Sequence, residues 1–336
     1  MKGLVFRETG EPRSVLKLEE VSTPSLSPGE ALVRVRMAPI NASDLHMVRG
    51  RYGYQPELPA SPGIEAVGVV EALGPGVQAP AVGTRVVFVD TWNTWREQIV
   101  CPANKLVPVP DALDDAAAAA SYINPLTAWA LTQSTHKLKA GDWLLQTAAA
   151  SSVGKFVLQL AQQYGFKTIN VIRRREQESI IRNLGGDEVI CTADEDLRAR
   201  LQELTGGKGI ERAIDCVAGE LGAEIARNLA PAGTMLVYGA LSSHRQTDPA
   251  KFMMPLFAPR LIYSTATVRG WWLPRWVPSQ PLAEVRAATS DLLAMLSKGA
   301  LTPPTSVRFR VEDFQEAVRL ADGEAGQEKV LLDFSE

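Results

Sequence analysis

The sequence predicts an α/β chain of two domains, one β-rich and one built on a doubly wound parallel sheet. Three observations predict it. Between Asp142 and Leu241, apolar strand-length runs alternate with helix-length amphipathic runs, the pattern of parallel strands joined by right-handed crossovers. Up to about Pro110 the chain instead holds short β-type runs separated by Pro, Gly and Asn. With 336 residues, 46% of them hydrophobic, there is enough chain for two cores.

Taken in order, "ALVRVRM", "AVGVVEAL", "TRVVFV" and "EQIVCP" read as the strands of the first domain. "PDALDDAAAAASYINPLTAWALTQS" then turns helical, Ala-rich and led by acids, with a break at Pro125. "DWLLQTAAASSVGKFVLQLAQQYG" is an apolar strand, a small-residue turn and an amphipathic helix. Strands "TINVI", "DEVICT", "IERAID" and "GTMLVYGAL" follow, interleaved with helices such as "REQESIIRNLG" and "LRARLQELTGG". A late helix, "PLAEVRAATSDLLAMLSKG", precedes "VRFR" and "VLLDF", β-type runs that can rejoin the first domain. The predicted division is 1–122 with 300–336 for the β-rich domain and 123–299 for the dinucleotide-binding domain.

Composition narrows the function. A formal charge of −3, from 35 basic and 38 acidic residues, provides no global field for nucleic acid or an anionic membrane. Cys101, Cys191 and Cys216 are scattered and odd in number, neither a disulfide framework nor a zinc ligand set. No apolar run approaches the ~20 residues of a membrane-spanning helix. "MKGLVFRETG" enters a strand-like run at once, without an apolar or Arg/Ser-rich leader, so a soluble, cytoplasmic protein is expected.

The turn after the "DWLLQT" strand is where a pyrophosphate would sit. Small residues are needed there because the backbone must approach the phosphates at the helix's positive end. Ala149, Ser151 and Gly154 fill the usual G-x-G-x-x-G positions, with Ser152 and Val153 between. At the end of the next strand, where an acid would bind the ribose hydroxyls of NAD, stand Arg173, Arg174 and Arg175. Three cations suit a 2′-phosphate and predict NADPH; the alternative is a solvated basic corner. Gly239, Ala240 and Leu241, just past the fifth strand, fall where the nicotinamide belongs.

The stretch from Pro39 to Gly68, "PINASDLHMVRGRYGYQPELPASPGIEAVG", together with "NPLTAW" and the two-domain pattern, resembles the medium-chain dehydrogenase/reductase superfamily. Zinc members of that superfamily carry C-x-x-D-x-H and G-H-E segments. Here Asn41 replaces the thiolate and Ile64 the imidazole, which leaves no tetrahedral site and makes His46 and Glu65 structural. Within the zinc-free branch the chain is similar to mitochondrial-type 2-enoyl thioester reductases in "PINASDLHMVRGRYGYQPELP", "TWREQIV", "NPLTAW" and "RGWWLPRW".

That resemblance implies a GroES-like first domain, NADPH as cofactor, an enoyl thioester of coenzyme A or acyl carrier protein as substrate, and a homodimer through the edge of the parallel sheet. It implies Tyr52, rather than Tyr54, as proton donor, with Asn41 able to bond Tyr52 or the substrate carbonyl. Asn124 and Thr127 would hold the nicotinamide end, Arg173 and Arg175 the phosphate, and Trp271 and Trp272 the walls of an acyl pocket, Trp272 close to the chemistry. Arg174 and Ser152 depart from the family pattern. Two other readings stand beside this one: an NADPH-dependent quinone or enone reductase of the same branch, which needs no protonating tyrosine, and an NADPH-binding protein without turnover.

Overall fold

Glu30–Pro39 is the spine of the first sheet. Its alternation puts Ala31, Val33 and Val35 wholly inside while Arg34 faces out. The computed structural model describes every residue except 24, 244, 245, 247, 324–327 and 336. Contacts divide the chain into two units, Met1–Leu126 with Val277–Glu336, and Thr127–Trp276.

In the first unit a seven-stranded sheet runs Ser306–Arg310, Lys329–Asp333, Glu30–Pro39, Val67–Leu73, Arg85–Phe88 and Leu106–Pro108, with Gln98–Pro102 also paired to Glu30–Pro39. The two C-terminal strands are parallel to each other, a pairing that needs a crossover. The helix Phe314–Ala321 supplies it. Lys329–Asp333 pairs antiparallel with the end of the spine, Leu331 opposite Pro39. This pairing brings the chain's last strand to the segment that begins at Asn41.

The late helix, Leu282–Ser297, groups with this first unit and not with the parallel sheet. It packs on Leu106–Pro108, where Arg286 Nη2 donates to the Leu106 carbonyl at 3.3 Å. By these contacts the division falls at Trp276/Val277, ahead of residue 299.

The second unit is a six-stranded sheet in the order Glu188–Cys191, Lys167–Ile172, Trp143–Thr147, Ile210–Asp215, Leu229–Val237 and Thr267–Gly270, parallel throughout. The order reverses at Trp143–Thr147, so the crevice for a ligand lies outside the carboxyl ends of that strand and its neighbour Ile210–Asp215. Pro125 lies in the first turn of the helix Ile123–Trp129, where its missing N–H costs nothing; the break in the Ala-rich segment comes earlier, after Ala119. The chain then widens into a π-helical stretch, Ala130–Thr135. Among the described residues no helix is long and apolar enough to cross a membrane.

Candidate active site

Two sets of site residues are formed, one in each unit. In the parallel-sheet unit the candidate phosphate turn is built from tight backbone contacts. Ala148 has a left-handed backbone (φ 46°), a conformation that costs a non-glycine residue about 1–3 kcal/mol and that the sequence pattern does not disclose. Ser151 caps the helix Ser152–Tyr164, its hydroxyl accepting from the Gly154 N–H at 3.2 Å. Gly154 is required sterically: a Cβ there would lie 2.4 Å from the Ala149 carbonyl oxygen. Ser152 is exposed and Val153 half-buried.

Beneath the turn, Thr147 Oγ1 donates to Asp215 Oδ1 at 2.5 Å, and the Cys216 N–H donates to Thr147 Oγ1 at 3.1 Å. These bonds lock together the ends of the two strands that flank the crevice. Asp215 also accepts from the N–H groups of Val217 and Ala218; burial still pushes its carboxyl above the usual range. The segment Gly239, Ala240 and Leu241 joins the same strand ends, because the Leu241 N–H donates to the Cys216 carbonyl at 2.9 Å and a Cβ on Gly239 would meet Cys216 at 3.0 Å. Thr147 and Asp215 are thus site-building residues that motif reading missed. The only signal for them was a polar residue at the end of each apolar strand.

The three arginines after Lys167–Ile172 are all exposed, but they are not equivalent. Arg175 pairs with Asp194 at 2.6 Å, Glu178 at 3.0 Å and Glu195 at 3.1 Å, so a phosphate would compete with three carboxylates for it. Arg173 makes no ion pair among the described residues. Of the two tryptophans, Trp271 is nearly buried, and its indole N–H donates to Thr135 Oγ1 at 3.2 Å, which ties it to the π-helical stretch. That contact makes Trp271 an anchor in the packing and leaves Trp272, half-buried, as the candidate wall. Thr127 is buried and Asn124 half-buried on the helix Ile123–Trp129.

In the β-rich unit Tyr52 follows the helix Ala42–Val48 by four residues and packs half-buried against the core. Its backbone carbonyl accepts from Gln55 Nε2 at 3.0 Å. Trp92 holds both tyrosines of the loop, with ring centroids 6.5 Å from Tyr52 and 4.4 Å from Tyr54. Tyr54, the more exposed ring, lies closer to the indole.

Asn41 is engaged at both ends of its amide. Its Oδ1 accepts from Lys329 Nζ, and its Nδ2 donates to Glu65 Oε1 at 2.9 Å. Lys329 lies 288 positions away in the chain and was missed by the sequence reading, which had no reason to single out one lysine at the start of "KVLLD". The residues do not fit zinc. A carboxamide and the buried Ile64 stand at the ligand positions, and an ammonium already sits on the carboxamide, where a second cation would be repelled.

Residues 27–111 match the alcohol dehydrogenase GroES-like domain and residues 152–291 the zinc-binding dehydrogenase family. The chain is 35% identical over 327 residues to the mitochondrial enoyl-[acyl-carrier-protein] reductase of Xenopus tropicalis, covering 95% of this chain and 91% of that one. Among solved structures it is similar to a protein of Bacillus thuringiensis assigned as an NADPH:quinone reductase (TM-score 0.92, 31% identity, 99% of both chains). It is also similar to the Escherichia coli quinone oxidoreductase solved with NADPH (TM-score 0.87, 26% identity, 99% of this chain and 100% of that one). The expectation of a cytoplasmic location does not stand. The Xenopus reductase and seven further enoyl reductases, matched over 94% or more of this chain, are all named as mitochondrial. A targeting segment is no part of the fold, so the first strand was no guide to address.

Proposed function

The chain belongs to the zinc-free branch of the medium-chain dehydrogenase/reductase superfamily, beside the mitochondrial-type enoyl thioester reductases, and from that premise we propose that it reduces the C=C bond of 2-enoyl thioesters with NADPH. The observation that carries this reading is the near full-length similarity to enoyl reductases, in a chain that keeps a tyrosine, Tyr52, on the loop after the Ala42–Val48 helix.

The phosphate turn supports a dinucleotide, since Gly154 leaves no room for a Cβ and Ser151 and Ser152 are small. Arg173, without an ion pair among the described residues, supports a 2′-phosphate more strongly than Arg175 does. Bound NADPH supplies a hydride for the β-carbon of the enoyl group. Tyr52 then provides the proton for the α-carbon: a phenol, ordinarily of pKa about 10, keeps its proton at neutral pH yet gives it to a basic carbanion. The thioester itself delocalises the developing charge, so the chain need only offer hydrogen bonds to the enolate oxygen. The Asn41 amide is already committed to Lys329 and Glu65, with the Asp44 carboxyl beside it, so it shapes the loop and does not reach the enolate oxygen. Trp272 offers an apolar face to the acyl chain.

A second reading, quinone or enone reduction, is favoured by the structural similarity to quinone reductases. Steady-state NADPH oxidation with crotonyl-CoA against a simple quinone separates the two. Turnover with the thioester is expected; turnover with the quinone alone overturns the reading, and NADPH binding without any turnover points to a non-enzymatic role. The homodimer belongs to the same proposal. Thr267–Gly270 is an edge strand, and next to it in the chain Ile262 and Tyr263 are 67% and 86% exposed, unusual for such side chains without a partner.

A further inference from the structure

Four polar side chains without a part in hydride transfer are shut inside the β-rich unit. Asp44 and Glu65 are wholly buried, Asn41 is 7% exposed and Lys329 8%. They arrive from three places: the start of the helix Ala42–Val48, the loop before Val67–Leu73, and the first residue of Lys329–Asp333. An unpaired ammonium in such surroundings is strongly unfavourable, and the two carboxylates offset it.

The hydrogen bonds run in one line. Lys329 Nζ donates to Asn41 Oδ1, and Asn41 Nδ2 donates to Glu65 Oε1. Glu65 Oε2 accepts from the backbone N–H groups of Ile123 at 2.8 Å and Tyr122 at 3.3 Å, at the start of the helix that carries Asn124 and Thr127. Asp44 Oδ2 accepts from the Asn41 N–H at 2.8 Å. The Asn41 amide therefore has its oxygen on a cation and its NH2 on an anion. Rotating it by half a turn would set each against a group of the wrong sign, so only one orientation is allowed. From Asn41 the chain passes through one short helix to Tyr52.

We propose that Lys329 is a positioning residue, which by fixing the Asn41 amide against Glu65 sets the start of the Ala42–Val48 helix and with it the placement of Tyr52. The proposal rests on the reading of Tyr52 as proton donor, but its structural half can be tested without that reading. The rival is an ion cluster that contributes to core stability and nothing else.

Hydrogen exchange of the full-length protein, read peptide by peptide, decides between them. In Lys329→Met the stem keeps its length and loses its charge. Residues 41–55 and the amides of Tyr122 and Ile123 are expected to lose protection by about tenfold, while Val67–Leu73 and the parallel sheet keep theirs. With crotonyl-CoA, kcat should fall by about 10- to 100-fold, the usual consequence of a donor displaced by an ångström or so, with NADPH affinity unchanged. Lys329→Met combined with Asn41→Leu should lose hardly more than Lys329→Met alone, because the first residue acts through the second.

Lys329→Gln, which retains a donor for Asn41 Oδ1 without the charge, should fall between wild type and Lys329→Met and serves if the methionine variant does not fold. Wild-type exchange at 41–55 in either folded variant, or a loss of protection spread evenly through the unit, would overturn the proposal. If the wild-type protein reduces only quinones, the enoyl reading fails, and the exchange pattern still decides whether Lys329 positions the loop.

Discussion

Tyr52 and Tyr54 are two residues apart, yet they stand in different surroundings. Tyr52 is half-buried against the core, whereas Tyr54 is 39% exposed and lies on Trp92. Tyr52→Phe removes a donor and keeps the ring, so kcat with an enoyl thioester should fall by about 10²- to 10⁴-fold, the range of a positioned general acid. Quinone turnover and NADPH binding should be unaffected. Tyr54→Phe is the control, and a loss confined to that variant would assign the proton to the other ring. The arginines separate in the same manner. Arg173→Ala should cost NADPH about 1.5–3 kcal/mol of binding, as for a charge-assisted hydrogen bond, and NADH almost nothing. Arg175→Ala should cost NADPH less, because its guanidinium is already shared among Asp194, Glu178 and Glu195. Fluorescence titrations with both cofactors check each statement; equal weakening toward NADH and NADPH in Arg173→Ala would contradict the phosphate role.

The elements behind these residues have properties of their own. In the phosphate turn, Gly154→Ala forces a Cβ against the Ala149 carbonyl; overpacking of this kind costs about 1–3 kcal/mol, and the shifted helix should bind NADPH more weakly. Thermal melting and cofactor titration of this variant measure the two effects separately. At the start of the Ala42–Val48 helix, burial raises the Asp44 carboxyl to about 7 from an ordinary 3.8. The folded protein therefore holds a proton between those values that the unfolded chain releases. The stabilisation is complete below about pH 4 and is lost as pH rises through 7. Asp44→Asn keeps an acceptor for the Asn41 N–H and removes the titration, so the decline of the urea midpoint from pH 5 to pH 8 should be smaller than in wild type. An unchanged slope would place the titrating proton elsewhere.

At the scale of the whole molecule, a charged residue in the exposed apolar segment beside the edge strand tests the homodimer. Ile262→Glu should shift the protein to a monomer in sedimentation and leave its secondary structure intact. A wild-type protein that is itself monomeric would remove the dimer from the reading. How much of this molecule was legible in the sequence differs between its units. The inner strands of the parallel sheet were, because they are largely buried and their connections are local: apolar runs, small-residue turn and helix follow one another in the order in which they pack; the exposed edge strand Thr267–Gly270 was not among the strands read. The small-residue turn and the helix Ser152–Tyr164 that it opens were visible for the same reason, as was the replacement of the zinc ligands at Asn41 and Ile64, which is a matter of residue type alone. Tertiary structure alone decided that Leu282–Ser297 packs with the first unit, that Arg175 is surrounded by carboxylates, that Trp271 is an anchor, and that Lys329 reaches Asn41. Each of these depends on contacts between residues far apart in the chain, set by strand register and by which face an element turns inward, and neither composition nor local periodicity carries that information.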